Sequence, residues 1–146
     1  MNHPSNRHDI FFNFEKATIK GFNKHETRIW ITSAIKNEGQ IPGVIQFVFC
    51  DDSQLLRINR EYLNHDTLTD IITFNYNDEY DGISGDIFIS VDRVKENAQE
   101  YNVHFKMELH RVIIHGILHL LGFDDQEDMA RKAMREKENY YLSLLT

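Results

Sequence analysis

Residues 106–121 constrain the fold more than any other stretch of this chain. Wound at 3.6 residues per turn, they set Ile113, Ile114, Ile117, Leu120 and Leu121 over most of a helix circumference, with Leu118 at the margin. A helix apolar nearly all round is buried, so the rest of the chain must wrap it. One narrow stripe differs: Glu108, Arg111, Val112, His115, His119 and Gly122. Polar groups on a buried helix are costly unless they meet a partner or a cavity. That stripe is the natural place to seek function.

The wrapping elements follow from pattern. Residues 9–16 and 17–22 have the aromatic and β-branched content of two short strands. Residues 24–36 are helical in period through Trp30, Ile31, Ala34 and Ile35, with Gly39 and Pro42 beyond the end. Residues 44–50 (VIQFVFC) form an apolar strand, and Asp51 and Asp52 then cap a helix running through Tyr62. Residues 70–76 and 86–91 are two further strands, separated by the turn-rich stretch 77–85. Helices are expected over 92–101 and over 127–145, the latter charged with an apolar stripe. This irregular alternation predicts an α+β fold: a small mixed sheet flanked by helices, one domain over 1–146, with the polar residues 1–8 loose. Strand order does not follow from it.

Composition narrows the function classes. Apolar residues make up 41% and charged residues 27%, which suits a globular core and argues against disorder. Lys plus Arg number 16 against 23 Asp plus Glu, a net charge of -7, so binding nucleic acid through bulk charge is disfavoured. A small basic groove on an acidic body is still allowed. The single cysteine, Cys50, can form neither an internal disulfide nor a cysteine metal cage, which points to a reducing, cytoplasmic setting. The first 22 residues lack the apolar region of a secretory signal, and no apolar run approaches the roughly 18 residues of a membrane span.

The chemistry lies in HGILHLLGFDD, residues 115–125. His115 and His119, at i and i+4, stand on one helical face, so both imidazoles can reach one ion at roughly 2.0–2.1 Å. Gly122 is a natural left-handed helix terminator, after which the chain doubles back and brings Asp125 beside the pair. Eight histidines in 146 positions give ~0.4 chance HxxxH pairs; adding Gly at +7 and a His, Asp or Glu at +10 lowers the expectation to ~0.004. The metal set expected at the C-terminal end of the central helix is therefore His115, His119 and Asp125. The spacing also matches the metzincin pattern HExxHxxGxxH, but Gly116 stands where those peptidases carry their general base.

The same segment resembles the YbeY family of metal-dependent, single-strand-specific endoribonucleases, whose pattern is HGxLHLxGxDH. Residues 68–74 (LTDIITF) resemble the family's PTDVLSF strand entry, residues 85–90 (GDIFIS) its GDIxIS strand, and Ile58-Asn59 with Tyr62 its LNxxYR helix. The resemblance implies maturation of ribosomal RNA, notably the 3′ end of the small-subunit 16S RNA, and ribosome quality control. Ribosomal RNA, the small subunit and ribosome-associated proteins are the implied partners, and Zn²⁺ the implied ion, bound once per chain. Two departures stand out. Asp125 occupies the position of the family's third metal-binding histidine; two histidines and a carboxylate also accept Fe²⁺, Mn²⁺ or Ni²⁺. Leu63 replaces the family arginine held to contact RNA phosphate, and Arg60, about one turn earlier, is the candidate substitute.

Asp124 either serves the site or caps the next helix. Thr69 and Asp70 either line the cleft or hold a strand entry, and His65 and Asp66 sit in the loop before them. Arg57, Arg60, Arg93 and Lys95 are candidates for a phosphate track, each weighed against a solvated helix position. His104 and His110 lie off the stripe and are expected to be structural or surface groups. Two other functions compete: a metal-dependent hydrolase of another substrate, with Gly116 speaking against peptides, and a ribosome-assembly factor with weak or no nuclease activity, favoured by the net charge and by Leu63 and Asp125.

Overall fold

The computed structural model describes residues 9–65 and 68–145. Residues 1–8, expected to be loose, and Asp66 lie outside the described residues. Along the chain run β1 (Asp9–Phe14), α1 (Lys24–Asn37), β2 (Pro42–Cys50), α2 (Asp52–Leu63), β3 (Ile71–Asn75), β4 (Ile83–Ser90), α3 (Val91–Glu100), α4 (Phe105–Leu120) and α5 (Asp128–Ser143). The strands form one sheet in the order β1-β2-β4-β3. β1, β2 and β4 are parallel and β3 runs antiparallel to β4, giving the mixed sheet that the pattern predicts.

Side-chain alternation along the strands builds two unequal cores. One face presents Ile10, Phe12, Ile45, Phe47, Phe49, Ile87 and Ile89, packed with α1, α4 and the apolar residues of α3 and α5. The other presents Cys50 and Ile72, with Phe74 and Phe88, to Leu55 and Ile58 of α2. Because β2 is buried on both faces, its sequence is almost continuously apolar rather than alternating. Helix α4 lies within the larger core, with Ile113, Ile114, Ile117 and Leu118 inaccessible to solvent. Asp51 caps α2 as expected, accepting from the Gln54 backbone N–H at 2.8 Å.

Two element boundaries differ from the sequence expectation. Residues 17–22 are not a strand. After Glu15 donates a last ladder bond to Phe49, Lys16 and then Gly21 take positive φ (55° and 74°), and the chain loops. The apolar content of this loop serves packing instead: Phe22 meets Phe12, Phe14 and Phe49 edge-on at 5.2–5.8 Å. Strand β4 begins at Ile83, inside the stretch expected to be turn. Gly85 is there for close approach, since a Cβ would lie 2.3 Å from the Phe74 carbonyl oxygen and 2.8 Å from Leu120 Cδ2.

Helix α5 is held against α1 by a polar clamp. Glu38 accepts from Lys137 Nζ at 2.9 and 3.0 Å and from the Tyr141 hydroxyl, while Trp30 Nε1 donates to the Tyr141 carbonyl at 2.9 Å. Burial pushes the Glu38 carboxyl up, yet the bonds from Tyr141 and Lys137 outweigh it and hold the group below its ordinary 4.5. A depressed carboxyl stabilises the fold above its unfolded pKa and loses that contribution as pH falls through the folded value. Glu38→Gln should therefore be less stable than wild type at pH 7, with the gap closing as the pH falls below about 4.5. Thermal unfolding across that range checks it; a gap independent of pH would contradict it.

Candidate metal centre

The last two turns of α4 present the histidines, with ring centroids 4.7 Å apart. Helix α4 then stops by a Schellman arrangement: Phe123 N–H donates to the Leu118 carbonyl and Gly122 N–H to the His119 carbonyl, both at 3.0 Å, with Gly122 at φ +103°. The following turn is tied by Asp124, whose Oδ1 accepts from the backbone N–H groups of Asp125 (2.7 Å) and Gln126 (3.2 Å). Asp124 thus shapes the loop, and Glu127 rather than Asp124 occupies the cap position of α5.

The loop returns Asp125 to the histidines. Its Oδ2 lies 3.2 Å from His115 Nε2 and its Oδ1 3.5 Å from His119 Nε2. One donor atom from each of the three residues falls within a group no more than 4.8 Å across. Donors about 2.1 Å from a tetrahedral ion stand about 3.4 Å from one another. The two measured separations bracket that value, and two imidazoles with one carboxylate are ordinary ligands for a divalent transition ion. All three residues are half-buried, partly shielded from bulk water and still reachable by it. The group fits a metal ion.

Behind it Arg111 of the polar stripe pairs with a carboxylate that sequence inspection passed over, Glu138. His115 Nδ1 is 2.7 Å from Glu138 Oε2, and Arg111 Nη1 donates to Glu138 Oε1 at 2.9 Å. Arg111 Nη2 also donates to Asn139 Oδ1 at 2.8 Å. Burial raises the Glu138 carboxyl, but hydrogen bonds from His115 and Arg111 prevail and hold it below 4.5. For His115 burial lowers the pKa, and Glu138 with Asp125 prevails in raising it above 6.5. A usable signal existed: Glu138 interrupts the apolar stripe of α5 between Met134 and Tyr141, at the i, i+4, i+7 spacing of a buried face.

Asp70 stands close enough for the charge of His115 to act on it. Burial is the larger influence and pushes its carboxyl above the ordinary range, as it does for Glu108 on α4. Asn97 donates to Asp70 Oδ2 at 3.4 Å, and the Thr69 hydroxyl donates to the Ile71 carbonyl at 3.2 Å. Arg60 and Arg57 are exposed on α2, whose main packing is against β3, β4 and α3, and Lys95 is exposed on α3. Arg93 is engaged with Asp52 at 3.1 Å. His65 is exposed beyond α2, and His104 caps α4 by position without a side-chain bond. His110 is a core residue, its Nδ1 2.7 Å from the Lys106 carbonyl and its ring edge-on to Trp30.

Gly116 has a packing role as well. A Cβ there would lie 3.0 Å from both Ile71 Cδ1 and Ile87 Cγ2, so the position faces the sheet rather than the metal group. A glutamate base has no room to act from it. Gly116→Ala should gain about 1 kcal/mol of helix propensity and lose about 1–3 kcal/mol to overpacking. Urea unfolding should show a net loss of stability, and a stabilised variant would contradict this packing.

A mixed four-stranded sheet with a His/His/Asp group at the end of its central helix defines a small α+β protein equipped for a metal ion. A family model described as Endoribonuclease YbeY matches residues 10–146. A Flavobacterium psychrophilum protein named endoribonuclease YbeY is 50% identical over 115 residues, 79% of this chain and 81% of the relative. Its Flavobacterium johnsoniae counterpart is 46% identical over 135 residues, 92% of this chain and 96% of the relative. The solution structure of TM1509 from Thermotoga maritima matches with a TM-score of 0.64 at 31% identity, covering 92% of this chain and 87% of that one. The chain belongs to the YbeY family. No helix among the described residues is long and apolar enough to cross a membrane.

Proposed function

We propose that this protein is a cytoplasmic, metal-dependent endoribonuclease that cuts single-stranded RNA, matures the 3′ end of 16S ribosomal RNA and takes part in ribosome quality control. The observation that carries the proposal is the convergence of His115, His119 and Asp125 in a chain whose relatives are named endoribonuclease YbeY. The whole chain, 1–146, is read as one catalytic domain. His115, His119 and Asp125 would hold one Zn²⁺; Fe²⁺, Mn²⁺ and Ni²⁺ suit the same donors. Three protein donors are one short of a closed structural site, the count expected where substrate must reach the ion. When bound, a divalent ion supplies Lewis-acid stabilisation of charge on a scissile phosphate.

The residues around it divide the remaining work. Half-burial of the three donors limits water access, and Asp70, whose carboxyl is shifted up toward neutrality by burial, stands nearby on the strand entry. Arg60 is assigned a phosphate contact from the exposed side of α2. A net charge of -7 confines RNA to one face, with the small ribosomal subunit and its associated proteins as the wider partner. The test is 16S 3′-end processing in cells lacking the native protein, complemented by wild type or His119→Ala at matched soluble levels. Rescue by wild type alone supports the nuclease; full rescue by His119→Ala would replace it with an assembly role.

A further inference from the structure

The two histidines at the metal group are alike in sequence and unlike in surroundings. His115 Nδ1 faces Glu138 at 2.7 Å, and Glu138 is itself anchored by Arg111 at 2.9 Å. Among the described residues no carboxylate is paired with His119 from behind; its ion-pair partner is Asp125, 3.5 Å from Nε2. We infer that Glu138, held by Arg111, is a positioning residue that prepares His115 alone for metal capture.

The argument starts from imidazole chemistry. A neutral ring carries its proton on one nitrogen and offers a lone pair on the other. A carboxylate at Nδ1 keeps the proton there and leaves the lone pair on Nε2, the nitrogen that faces Asp125. It also fixes the ring plane, so that less orientational freedom is lost when an ion binds. Arg111 adds a second restraint. Its guanidinium spans Glu138 and Asn139 on α5, so the carboxylate cannot swing away from α4. Glu138 is 4% exposed, and burying an arginine–carboxylate pair contributes little net stability over apolar side chains of the same volume. Its placement behind a metal-facing histidine is explained by ligand orientation.

This inference rests on His115 being a metal ligand, and the experiment separates the two claims. Full-length protein is stripped with chelator and titrated with Co²⁺, following its visible absorption, and with Zn²⁺ in competition with a chromogenic chelator. Glu138→Gln should weaken binding about 10–100-fold in the wild-type background and again in His119→Ala. In His115→Ala the same substitution should change the residual affinity less than twofold. Should Glu138→Gln fail to fold, the double variant Arg111→Met/Glu138→Leu takes its place. That variant should match the metal-free stability of wild type and show the same loss of affinity. Unchanged affinity in Glu138→Gln, or an equal loss in the His115→Ala background, would overturn the positioning role while leaving the metal centre standing. Failure of wild type to bind either ion would overturn the metal centre, and this inference with it.

Discussion

His119→Ala is expected to cut single-stranded RNA cleavage by about two to four orders of magnitude while leaving the fold intact. Metal-assisted charge stabilisation is worth several kcal/mol, and each 1.4 kcal/mol is about tenfold in rate. The fold should survive because His119 sits at the edge of the core: its side chain is 29% exposed and, among the described residues, its ion-pair partner is Asp125 of the following loop rather than a residue of α5. The result is checked by cleavage rates on a fluorescent RNA strand, with circular dichroism and thermal unfolding alongside. Wild-type cleavage by a folded His119→Ala protein would contradict the assignment.

The second large effect is expected at Asp125. Asp125→Ala opens the donor set and should weaken Zn²⁺ binding by at least about 100-fold, beyond the roughly 10–100-fold typical of an outer hydrogen-bond partner. Asp125→His returns a neutral nitrogen at similar reach and should bind within about tenfold of wild type or more tightly. Chelator competition on the three proteins measures the order directly. Equal affinities would show that Asp125 is not a ligand.

Much of the site was legible in the sequence because it is local. His115, His119 and Gly122 belong to one helix and its terminator, where spacing alone decides which side chains share a face. Asp125 follows three residues later, within reach of any chain that turns back at Gly122. Glu138 lies 23 residues downstream of His115, and only the docking of α5 on α4 brings the two together. The fold class was legible from alternating patterns, but the order β1-β2-β4-β3 depends on pairings between distant strands. Residues 17–22 show the limit of composition: aromatic and β-branched side chains signal burial, which a loop packed on Phe12 and Phe49 satisfies as well as a strand does. Gly85 shows the converse, a turn residue by type that the packing of Leu120 and Phe74 requires inside a strand.

The most direct test of the central claim is RNA cleavage by protein whose metal content has been measured. Protein purified without chelator should carry close to one transition-metal ion per chain and cut a single-stranded RNA. Chelator treatment should abolish both, and stoichiometric Zn²⁺ should restore both. Metal-free protein that cuts RNA as well as the loaded form would contradict the account.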